Sequence, residues 1–164
     1  MRGDIKIADW KPSENPYDWL GKGIYFWERN KRRARQWAAK NVKGDAAILR
    51  VELELGKCLD LADSDYLGLI RDEYDSLVEE YRELNWKMPA NRKSGLRDLD
   101  RLVIDRFVAK MESVDGLAII KFDTVCAPFE EGDPIFPGSL IRDQSHVQIA
   151  VRNYQMIHTV ELVE

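Results

Sequence analysis

Cysteine and histidine are scarce in this chain, with two of each among 164 residues. Cys58 and Cys126 have neither the paired spacing of a zinc site nor the density of a disulfide-stapled secreted domain. Both are expected to be free, buried thiols in a reducing compartment. With His146 and His158 the only histidines, no metal site is expected. Long apolar runs are also missing: none approaches the roughly 18 residues of a membrane span. The first ten residues carry Arg2, Asp4 and Lys6 and lack the apolar stretch of a secretory signal. The expectation is a cytoplasmic protein with no membrane partner. Excess positive charge is absent too, because the net charge is −4, so no global attraction to nucleic acid follows. The chain shows no internal repeat and no low-complexity segment.

What is present is an ordinary globular balance: 45% hydrophobic and 33% charged residues exclude disorder and suit one domain over residues 1–164. Residues 4–8 read as a short strand. Residues 11–21 are rich in turn formers, yet Tyr17 and Trp19 suggest that this loop packs onto something. Ile24–Trp27 reads as a strand of β-formers. Asn30 is placed to cap a helix whose apolar stripe is Ala34, Trp37, Ala38 and Val42, with Gly44 at its end. Residues 46–55 alternate as a strand does.

An amphipathic helix is expected over 63–84, with Tyr66, Leu69, Ile70, Tyr74, Leu77, Val78 and Tyr81 inward. A second is expected over 98–113, carried by Leu99, Leu102, Val103, Arg106, Phe107 and Met111. Residues 117–122 look like a buried strand, and 124–143, with three prolines and two glycines, like a long loop. Two strands, 145–152 and 156–163, close the chain. The order points to an α+β domain with helices inserted into a largely antiparallel sheet. A loop of about 20 residues is uncommon without a function, so 124–143 is a candidate lid or acceptor-recognition loop.

The most informative segment is Gly21-Lys22-Gly23-Ile24-Tyr25-Phe26, at a loop-to-strand junction. Two glycines let a backbone approach a ligand closely. The strand puts Tyr25 and Trp27 on one face and Phe26 on the other. Two readings stay open on spacing alone: a tight turn feeding an aromatic core strand, or a tyrosine facing a groove and stacking on a flat, electron-poor ring.

This segment resembles the Gly-Lys-Gly-Ile-Tyr-Phe segment of poly(ADP-ribose) polymerases and their bacterial relatives. The longer run Asn15–Glu28, with Phe136-Pro137-Gly138 and Ser145–Asn153, resembles small bacterial proteins of ADP-ribosyltransferase type. The resemblance implies a split, mostly antiparallel sheet. It also implies NAD as substrate, held between the Gly21–Trp27 segment and the late strand. Gly21, Lys22 and Gly23 would shape the wall, Tyr25 would stack on the nicotinamide, and Trp37 would be the second aromatic of a sandwich. The implied reaction is transfer of ADP-ribose to a macromolecular acceptor, protein or nucleic acid, in the setting of a bacterial toxin or phage-defence effector. An antitoxin or other protein partner would suit that setting.

The sequence departs from the family pattern at two places. Gln148 stands where the family's late strand carries a glutamate. Glutamine can bond a ribose hydroxyl but offers no full negative charge to a developing oxocarbenium ion, which weakens catalysis by about 10² or more. The family's opening His-Gly-Thr strand has no counterpart in the 24 residues before Tyr25. His146, two residues from Gln148 on the same strand face, is the candidate replacement as a ribose or phosphate ligand. Both departures also fit another class of protein: a catalytically impaired module that binds a nucleotide, RNA or a partner protein.

Finally, Arg29, Lys31, Arg32, Arg33 and Arg35 crowd the start of a helix, where cations oppose the helix dipole. They are either a phosphate-binding cluster or a solvated face.

Overall fold

The computed structural model describes residues 6–92, 96–112 and 120–163. Among them lie six strands and three α-helices: β1 (Ile24–Trp27), α1 (Lys31–Asn41), β2 (Leu49–Leu53), β3 (Cys58–Asp60), α2 (Ser64–Glu83), α3 (Asp98–Glu112), β4 (Thr124–Phe129), β5 (His146–Val151) and β6 (Ile157–Leu162). The class is α+β with mixed strand directions. No helix among the described residues is long and apolar enough to cross a membrane.

Four strands form one sheet in the order β1-β5-β4-β3, and β2 pairs with β6 in a second. All pairs are antiparallel except β3 with β4. Period-two alternation gives the four-stranded sheet two different faces. One carries Leu59, Val125, Ala127 and Ala150, which pack with Ile104, Phe107 and Val108 of α3 and with Trp19 and Leu20 of the preceding loop. The other carries Cys126, Ile149 and Val151, packed with Val51, Leu53 and Val160 of the two-stranded sheet. Each fully buried aliphatic side chain in these clusters contributes roughly 2 kcal/mol of apolar burial.

Local signals explain the helix starts. Asn30 accepts from the Arg33 N–H at 2.9 Å, and Asp63 accepts from the Asp65 N–H at 3.0 Å. Asn91 supplies a cap for α3 from outside it, accepting from Leu99 and Asp100 N–H groups at 3.0 and 3.2 Å. The first helix stops at Asn41, three residues before Gly44.

Several expectations change. The longest is 124–143: its first six residues are β4, an interior strand, and only the remainder is loop. β3 was not expected. Residues 7–9 form a 3-10 turn that overlaps the end of the expected strand 4–8, and residues 4 and 5 lie outside the described set. Of 117–122, residues 117–119 lie outside it and 120–122 are not in a strand. On α2, Leu69 and Tyr74 face solvent at 48% and 39% exposure, and Glu73 is the buried residue instead. Its carboxylate lies 2.6 Å from Lys110 and 3.5 Å from Arg106, both on α3. On α3, Arg106 is exposed while Ile104 and Val108 fill the core.

Candidate functional site

The loop before β1 folds tightly on its own polar groups. Asp18 accepts from Ser13 Oγ at 2.7 Å and from Asn15 N at 2.5 Å. Gly21 N donates to Asp18 O at 2.7 Å, with Gly21 at φ +80°. A β-carbon at Gly21 would lie 2.6 Å from Asp105 Oδ1 on α3, so only glycine fits there. Arg101, also on α3, bonds the Asn15 carbonyl. The loop is thereby clamped down, and Trp19 and Leu20 are buried under it.

Tyr25 lies beneath that clamp. Its hydroxyl donates to Gly21 O at 2.8 Å and accepts from Leu20 N at 3.1 Å, and its ring packs on the α3-side core. Burial first, and the nearby Asp18 carboxylate second, push the phenol pKa well above its ordinary 10.0. Gly23 is equally enclosed: a β-carbon there would meet Val151 O at 3.0 Å and Ala150 Cβ at 3.2 Å. Lys22 is exposed and paired with Glu14. The glycines therefore serve a tight turn and close strand packing, and the expected glycine-walled groove in front of Tyr25 is replaced by protein.

β1 and β5 are hydrogen-bonded neighbours, with Tyr25 opposite Ala150 and Trp27 opposite Gln148. No ligand can lie between them, which corrects the expectation that these two segments flank a groove; a ligand must use one sheet face. On the Tyr25 face, Gln148 is already engaged. Its Oε1 accepts from Trp19 Nε1 at 2.7 Å, and its Nε2 donates to His146 Nε2 at 3.0 Å. His146 is 8% exposed and donates through Nδ1 to Gln144 O at 2.7 Å, which makes it the neutral Nδ1–H tautomer. Burial is the main cause that lowers its pKa. Arg97 completes the patch, its guanidinium 4.5 Å above Trp19 and 4.4 Å above Phe129.

The opposite face is covered in part by the two-stranded sheet. A cleft of about 1090 Å³ runs between β1, β2 and α1. Its floor is Phe26, Val147 and Ile149, and its far wall is Val51 and Leu53. Trp37, 45% exposed, stands at the cleft with its ring 5.8 Å from that of Trp27. The indole N–H of Trp27 is buried and has no hydrogen-bond partner among the described residues. Glu28, Arg29, Asn30 and Lys31 form a polar rim where α1 begins, and Arg50 and Glu52 a second one on β2. Glu52 is bonded to Arg50 at 3.0 Å, which lowers its pKa. The volume matches that of small-molecule and cofactor sites, and the lining, mainly apolar with a few polar groups, matches their chemistry.

The structure thus sorts the sequence candidates. Trp37 lines the cleft. Tyr25 also borders it, although its ring packs with the core on the other side of the sheet, and Gly21, Lys22, Gly23, His146 and Gln148 do not. Of the basic cluster, Arg33 is buried and bonded to Glu131 at 2.5 Å, so it is a structural ion pair tying α1 to the 130–145 loop. Arg29 and Lys31 are on the cleft rim. A smaller recess of about 400 Å³ at the other end of β1 and β5 is lined by Lys22, Gly23, Lys121, Arg152 and Tyr154. Its Arg152 is held bidentately by Glu112 at 2.9 and 3.2 Å. Sequence reasoning missed the Phe26 side of the strand. The signal was there, since alternation assigns Phe26 the face away from Tyr25, but nothing local says which face carries the cleft. No group of three or more metal-ligating side chains occurs among the described residues.

No protein-family model, no curated protein and no solved structure matches this chain.

Proposed function

We propose that this chain is an ADP-ribosyltransferase-like domain that binds NAD in the cleft between β1, β2 and α1 and transfers ADP-ribose to a macromolecular acceptor slowly. The observation that supports it is the cleft floor. It is laid by the two segments that carry the family resemblance, Ile24–Trp27 and His146–Val151. The stacking role assigned from sequence to Tyr25 passes to Trp37 and Trp27, the aromatic pair beside the cleft. Arg29 and the N-terminal end of α1 suit a pyrophosphate.

Slow turnover follows from charge. Breaking the nicotinamide–ribose bond sends the bonding pair to nicotinamide and leaves positive charge on the sugar. A preorganised anion lowers that barrier. Gln148 is neutral, occupied by Trp19 and His146, and absent from the cleft lining. The carboxylates at the rim are Glu28 and the Arg50-paired Glu52. Glu28 is therefore the candidate for the anionic role.

A second reading is favoured by one observation, the tying off of Tyr25 and Gln148: a module of the same fold that binds a nucleotide, RNA or a partner protein without turnover. Incubation with NAD, followed by assay for bound dinucleotide and free nicotinamide, separates the two. The first reading expects binding and slow release, with Glu28→Gln abolishing release and sparing binding. Binding with no release selects the second, and no binding of NAD removes the first.

A further inference from the structure

Cys58 and Cys126 stand on neighbouring parallel strands. Cys58 lies opposite Thr124, and Cys126 opposite Asp60. Their side chains meet across the pair, with the two Sγ atoms 3.3 Å apart. Thr124, which donates to Leu55 O at 2.6 Å, lies beside Cys58, and Asp60, which accepts from Ala62 N at 2.9 Å, lies beside Cys126. The two thiols remain in direct contact with each other. Cys58 is half-buried and Cys126 is 7% exposed, but Cys126 is also part of the cleft lining. Half-buried Cys58 is the more accessible member of the pair.

We propose that Cys58 and Cys126 form a dithiol modification site that hydrogen peroxide oxidises reversibly to a disulfide. The sulfurs must close from 3.3 Å to about 2.05 Å. The movement falls on β3, which has three residues and lies at the sheet edge, held on one side only. Roles follow from the asymmetry of the pair. The hydrogen bond between the two sulfurs holds the Cys58 pKa down to about 7, while Cys126 is raised by the same bond and by burial.

The Cys58 thiolate attacks one peroxide oxygen. The O–O bond breaks, hydroxide leaves and Cys58 becomes a sulfenic acid. The Cys126 sulfur then attacks the Cys58 sulfur, the S–O bond breaks, and water leaves with the Cys126 proton. The two thiols lose two electrons, and peroxide is reduced to water. A dithiol reductant reverses the change by exchange. The product staples β3 to β4 and displaces the Cys126 sulfur in the cleft wall. The inference does not depend on what the cleft binds.

The test is intact-mass and peptide mapping of the folded, reduced chain after a stoichiometric amount of hydrogen peroxide. The expected product has lost two hydrogens, carries a bond between the Cys58 and Cys126 peptides, and returns to the starting mass with dithiothreitol. In Cys126→Ser, oxidation halts at a Cys58 sulfenic acid that dimedone labels. In Cys58→Ser, Cys126 reacts at least about tenfold more slowly than Cys58 does in the parent chain. The mapping of the unsubstituted chain stands alone if either variant fails to fold. Two free thiols after peroxide treatment, bonds only between separate chains, or oxygen addition without a disulfide would each overturn the proposal.

Discussion

The Tyr25 hydroxyl donates to the Gly21 carbonyl at 2.8 Å, closing a ring of contacts that joins β1 to the loop just before it. The Leu20 N–H returns a bond to the same oxygen at 3.1 Å, and Leu20 is 1% exposed. Tyr25 is thus a fastener of the loop. Tyr25→Phe keeps the ring, removes both bonds and leaves buried backbone groups unpaired. It is expected to destabilise the chain by about 1–3 kcal/mol in urea unfolding. A change near zero would show that the loop does not need this hydroxyl.

The Tyr25 phenol is also a pH probe. Its folded pKa is raised above the unfolded value of 10.0. The folded state therefore holds its proton longer, and the associated stability is complete below pH 10 and declines as pH rises beyond it. Urea midpoints should fall from about pH 10 upward in the parent chain, and less steeply in Tyr25→Phe. Equal slopes would contradict this assignment.

His146 titrates with the opposite sense. Its folded pKa lies below its ordinary 6.5 because it is buried. The unfolded chain takes up the proton first, so the stability it contributes is present above pH 6.5 and is lost as pH falls. Replacing His146 by Gln should flatten the fall in urea midpoint between about pH 6.5 and pH 5. An unchanged slope would place the ring in contact with water.

Glu73 joins α2 to α3 through two cations, and its side chain is only 3% exposed against 59% for Lys110 and 44% for Arg106. Removing the carboxylate frees two cations that already reach water. Removing both cations strands a buried charge. Lys110→Ala with Arg106→Ala is therefore expected to destabilise by about 2 kcal/mol more than Glu73→Leu does. Urea unfolding of the three variants measures the difference, and the reverse order would contradict it.

What the sequence made legible was local. The cap at Asn30, the extents of α2 and α3, and strands β1, β5 and β6 follow from residues within a turn or two of each other. β4 was hidden because Pro128, in a run with further prolines, argues against an interior strand. Here Pro128 sits one residue from the strand's end, opposite Val147. β3, with only three residues, carries too little pattern to detect. The fate of Tyr25 was hidden for another reason. Alternation gave its face, but the cover over it depends on Arg101 and Asp105, more than 75 residues along the chain. Trp37 lies on the apolar stripe of α1 with Ala34, Ala38 and Val42. That the stripe borders a cleft rather than a packed core depends on where β2 lies.

On the proposed function, a flat, positively charged ring of a dinucleotide docks beside Trp37. The most direct measurement is a titration of NAD into the isotope-labelled chain, followed through the indole N–H signals and backbone amides. The account predicts the largest shifts at Trp27, Trp37 and residues 28–31, with affinity reduced about tenfold in Trp37→Ala and the unfolding midpoint of that variant nearly unchanged. Shifts confined to the recess at Lys22 and Arg152, or none at millimolar NAD, would contradict it.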